Sequence, residues 1–207
     1  MWSSLFSAGD EENEDVVRRM SAPDNEIPVA LPINVVVART DEVAFALLGL
    51  QVYSTGVSFD LAVRARTGTE NNELNEIVFE HGPLRPGRMM LGVELADGRR
   101  ASNIRPGHFG GDVVFHGGGG GGGNRSVDQS WWLSPLPPEG PLIFVVRCGA
   151  LGIEETRTVL DGAQINRAAA GVVELWPWQS PTAHWSERPP PPPDVPADSW
   201  FTPGAQG

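Results

Sequence analysis

The sequence predicts an all-β fold: an antiparallel β-sandwich, immunoglobulin-like or jelly-roll, with one short helix and disordered termini. Three observations carry this. Apolar residues alternate with small or polar ones in several separate runs, which sets one strand face on a core and the other in water. Turn-forming residues divide those runs at short intervals. Only one stretch has both a helix start and a helix stop signal.

The elements follow in order. Residues 1–27 hold seven acids against Arg18 and Arg19 and show little periodicity, so they read as a disordered acidic segment. The folded domain spans 28–176. Its first strand carries Ile33, Val35 and Val37, and Asp41-Glu42 is a turn. From Val43 to Tyr53 the apolar positions are 43, 45 and 47, then 48, 50 and 52; the change of phase beside Gly49 reads as a β-bulge. Ser54-Thr55-Gly56 is a tight turn with a glycine able to take positive φ, and Val57–Arg64 alternates cleanly, completing a hairpin. Leu74–Glu80 and Met89-Leu91-Val93-Leu95 are further strands, and Asp97-Gly98 is a hairpin turn. Val113-Phe115 leads into Gly117–Gly123, which reads as a flexible loop. Val127–Leu133 is a strand. Leu142–Val146 is apolar on both faces, as a central covered strand would be, and Cys148 at its end reads as a small buried hydrophobe. Thr156–Leu160 and Val172–Trp176 are the last strands. Between them Ala163–Ala170 is the helix, with Asp161 as its cap, Gln164 three residues later and Gly171 as the stop. Residues 177–207 hold nine of the chain's nineteen prolines, including Pro189–Pro193, and read as a disordered tail.

Composition excludes several functions. All fifteen basic residues are arginine, so no P-loop lysine, Schiff-base lysine or lysine general base exists. The absence of lysine in a chain rich in Ala, Gly and Pro also points to a GC-rich genome. A net charge of −11 argues against binding nucleic acid or an anionic membrane. One cysteine permits neither an internal disulfide nor a cysteine-based zinc cluster. No long apolar run and no basic signal-peptide start is present, which reads as a cytoplasmic protein.

No motif names a reaction. The strand ending in His116 and running into glycines resembles the oxyanion loop of lipases and esterases of the α/β-hydrolase fold, whose glycine N–H groups face the developing oxyanion. That resemblance covers about nine residues, and the Gly-x-Ser-x-Gly elbow it requires is missing. The same glycines match a dinucleotide-binding fingerprint, but no helix start follows to receive a pyrophosphate. His108, Asp112 and His116 flank the glycine run and could form a trio of metal ligands; exposed loop histidines are the plainer reading. The adjacent carboxylates Asp41-Glu42 and Glu154-Glu155 would point to opposite strand faces and form no acid–base pair. No cofactor is implied.

Binding candidates are aromatic. Trp131 shares a strand face with Val127 and Leu133, so Trp132 points outward, where it can anchor a partner or pack beneath Trp176 or Trp178. Trp2, Leu5 and Phe6 have helical spacing ahead of an acidic run, and Trp200-Phe201 sits near Asp194 and Asp198. Both have the format of short docking motifs. The segments Val52–Phe59 and Trp131–Pro138 resemble parts of uncharacterised actinobacterial β-sandwich proteins, a likeness that implies no activity or site residue. The expected function is therefore a non-catalytic protein–protein interaction module with a protein partner, and a sheet edge could support a homo-oligomer. The alternative is a hydrolase or metal-dependent enzyme built on His116 and the glycine run.

Overall fold

The computed structural model describes residues 11–68, 73–79, 87–104 and 112–180. Strands account for 52% of them, with three small helices. In chain order come α1 (Glu11–Arg19), β1 (Glu26–Ile27), β2 (Val29–Arg39), β3 (Val43–Val52) and β4 (Val57–Ala65). Next are α2 (Glu73–Val78), β5 (Met89–Glu94), β6 (Arg100–Ser102), β7 (Val114–Gly122) and β8 (Ser126–Ser134). The chain continues through β9 (Pro141–Cys148), β10 (Ile153–Asp161), α3 (Gly162–Ala169) and β11 (Val173–Glu174).

These strands form three antiparallel sheets, none of them closed. The largest has the order β2-β3-β4-β8-β7, the second β10-β9-β5-β6, and β1 pairs with β11 in a short ribbon. Both larger sheets turn one face to a shared apolar core. Phe45, Leu47, Phe59 and Leu61 reach it from β3 and β4, and Leu91, Leu142, Phe144 and Val146 from β5 and β9. Phe59 meets Phe144 edge-on with 5.2 Å between ring centres, a favoured aromatic geometry that joins the two sheets directly.

Several expectations hold in detail. The β3–β4 register slips between Leu48 and Leu50, and Gly49 takes a φ of 55°, so the phase change is a bulge. Gly98 turns the β5–β6 connection at a φ of 86°. β9 lies between β10 and β5, and Cys148 is fully buried. The Asp161 carboxylate accepts the Ala163 N–H at 2.9 Å and caps α3.

Others are corrected. The segment from Leu74 is a helix, α2, rather than a strand: Leu74 and Val78 lie one helical turn apart and both enter the core. Gly117–Gly122 is part of a strand, not a loop, because β8 supplies a ladder for its backbone and Asn75 of α2 donates to the Gly122 carbonyl at 3.2 Å. Gly56 needs no positive φ; a side chain there would overlap the Leu133 carbonyl oxygen and the Trp132 ring. Residues 11–27 carry α1 and β1, so this part of the acidic segment is ordered against the domain. Residues 1–10 and 181–207 lie outside the described residues.

Candidate functional site

A groove of about 410 Å³ lies on the face of the four-stranded sheet that points away from the core. Strand periodicity builds it. Leu91 and Val93 of β5 enter the core, as do Leu142, Phe144 and Val146 of β9, so Met90, Gly92, Glu94, Ile143, Val145 and Arg147 must face out. The register then sets the rows. Arg157 of β10 stands opposite Val145, Val145 opposite Gly92, and Gly92 opposite Ser102 of β6. One row away, Arg147 faces Met90; on the other side Ile143 faces Glu94, which faces Arg100.

Gly92 makes the depression. With no side chain between Val145 and Ser102, the sheet dips there, and a Cβ would come within 3.2 Å of the Ala101 carbonyl oxygen. Met90 and Val145 are half-buried, and Ile104 beyond β6 lines the same groove. At the rim of this face Val159 is 61% exposed. The floor is thus apolar and the walls are charged.

Charge is unevenly satisfied across this face. Glu94 accepts an ion pair from Arg100 at 3.0 Å and a looser one from Arg157 at 3.9 Å, and Arg157 also approaches Glu155 at 3.8 Å. Arg147 is exposed and has no ion pair among the described residues. Three arginines against two glutamates leave one positive charge on a chain of net −11. Arginine over an apolar floor suits carboxylates flanked by apolar groups.

The residues singled out from sequence lie elsewhere. Trp132 is not an exposed anchor: it is 4% exposed on the outer face of the five-stranded sheet. Its indole N–H donates to the Arg19 carbonyl at 2.8 Å, and the Tyr53 ring meets it edge-on. Its cover is therefore the end of α1, not Trp176, which is 57% exposed. Trp178 instead lies near the Arg18 guanidinium. Beside Trp132, His116 donates from Nε2 to the Met20 carbonyl at 2.8 Å, which fixes its tautomer and occupies that nitrogen. Asp112 precedes β7 and is exposed; its carbonyl accepts from Arg19 and Arg99. His108 lies outside the described residues, as do Trp2, Leu5, Phe6, Trp200 and Phe201. No three His, Cys, Asp or Glu side chains gather into a metal site among the described residues.

Near β1, buried Glu26 accepts from the Ser54 N–H at 2.9 Å and from its hydroxyl. Burial, together with the Glu26 charge, pushes the Tyr53 phenol upward. Ser130 donates to Asp60 and Ser134 to the Thr55 carbonyl, so these three serines are engaged by oxygen acceptors rather than by histidine. These bonds tie β1 and β8 to the turn after β3 and link β8 to β4.

Sequence reasoning missed the groove because its residues come from four strands and meet only through the register. A further apolar exposure, Ile27, Val173, Leu175 and Trp176 beside the β1–β11 ribbon, was likewise visible only after folding. No protein family, curated protein or solved structure matches the chain.

Proposed function

We propose that this chain is a non-catalytic protein-interaction module, a β-sandwich whose contact surface is the groove over Gly92. The observation that carries the reading is the pairing, on one open sheet face, of an apolar depression of about 410 Å³ with arginines that are unpaired or loosely paired. Recognition surfaces join a desolvated apolar centre to charged groups in this way. The edge-on Phe59–Phe144 contact across the core supports the sandwich description.

The hydrolase or metal-enzyme alternative draws less support. Among the described residues His116 spends Nε2 on the Met20 carbonyl, and neither a nucleophile–base pair nor a ligand cluster accompanies it. Self-association by strand addition is opposed at the β2 edge, where Pro32 lacks an N–H and the register slips between Leu31 and Asn34.

The test compares proteins captured from source-organism lysate by the wild-type chain with those captured by Arg147→Glu/Arg157→Glu. Asp60→Asn on the other sheet serves as the control. A protein retained by the wild type and the control but lost with the double reversal supports the reading. Capture that is indifferent to the reversal overturns the assignment to this face.

A further inference from the structure

We propose that the groove is occupied within its own chain by residues 194–201, Asp-Val-Pro-Ala-Asp-Ser-Trp-Phe, which a partner must displace. This deepens the interaction-module reading and rests on it.

Complementarity is the first argument. The segment offers two aspartates and two adjacent aromatics, with no basic residue after Arg188. The groove offers an apolar floor of Met90 and Val145 beneath Arg147 and Arg157. A thioether is a favourable floor for an aromatic ring. An arginine without an ion pair gains more from a carboxylate than one already satisfied, and Arg147 is in that state among the described residues.

Reach is the second. The last described residues lie near α1: Trp178 sits by Arg18, and Arg19 and Met20 are bonded to Trp132 and His116 on the outer face of the other large sheet. A domain of about 150 residues has a radius of gyration of about 15 Å, hence a diameter of about 40 Å. Twenty residues separate Ser180 from Trp200; at about 3.1 Å each in the extended form that proline favours, they span about 60 Å.

Tethering supplies an effective concentration on the order of 1 mM. If the free segment binds with a dissociation constant of about 0.1 mM, the tethered copy weakens binding of an added peptide about tenfold.

The experiment measures fluorescence anisotropy of a labelled peptide of residues 192–203 with the full-length wild type and with full-length Trp200→Ser/Phe201→Ser. The expected result is binding to the variant about tenfold tighter than to the wild type, weakened by salt and lost when Arg147→Glu/Arg157→Glu is added. Equal binding to both chains overturns tail docking and leaves the groove as an interaction surface. Binding to neither, or binding indifferent to the arginine reversal, also overturns it. The lysate comparison then decides the module reading alone, because it varies the groove and leaves the tail untouched.

Discussion

Alanine at Gly120 and alanine at Gly121 are expected to shift stability in opposite directions, though the two are neighbours in a run of seven glycines. At Gly120 a Cβ would overlap the Asp128 carbonyl oxygen, meet the Phe79 ring at 2.7 Å and approach Gln129 Cα at 2.9 Å, and the first and last of these obstacles are backbone. Only a retreat of β7 from β8 relieves that overlap. Losing about two ladder hydrogen bonds at roughly 1 kcal/mol each gives a destabilisation of about 2 kcal/mol. At Gly121 nothing lies within 4 Å of the added carbon, so the main effect of alanine is to restrict the unfolded chain, a gain of about 0.5 to 1 kcal/mol. The two variants should differ by about 3 kcal/mol. With an m-value near 2 kcal/mol/M, their urea midpoints should lie about 1.5 M apart, with equal slopes. Coincident midpoints, or a Gly121→Ala variant as weak as Gly120→Ala, would refute the strand and its register and return the glycines to the loop that composition suggests.

Three other outcomes are expected. Trp132→Phe keeps most of the buried ring but removes the donor to the Arg19 carbonyl, so it should cost about 1 kcal/mol and speed amide exchange in residues 11–20; unchanged exchange there would break the link between this indole and α1. Burial pushes the Cys148 thiol above its ordinary value, so the folded protein keeps a proton that the unfolded chain releases. Stability is then level below about pH 8 and falls as the pH rises past about 8.5; Cys148→Ala should flatten that part of the urea-midpoint profile between pH 7 and 10. Asp161→Ala removes the α3 cap and should lower stability by about 1 kcal/mol in thermal or urea unfolding, whereas Asp161→Ser should recover most of it.

What the sequence alone determined was whatever depends on neighbours in the chain. Alternation gave away the strands through Val43–Val52 and Val57–Ala65, the phase change marked the Gly49 bulge, Asp97-Gly98 marked its turn, and Asp161 marked the start of α3. Tertiary structure decided the rest. Six residues around Leu74 fit a helix as well as a strand until the core takes Leu74 and Val78 on one face. Glycines have no side-chain period at all, so β7 exists because β8 lies alongside to pair its backbone. Composition marked the N-terminal segment as solvent-loving, yet α1 packs because Trp132 and His116 present donors to its final carbonyls. The groove follows the same logic: Arg147, Met90, Val145, Gly92 and Arg157 come from three strands, and only the hydrogen-bonded register of β10, β9 and β5 brings them onto one surface.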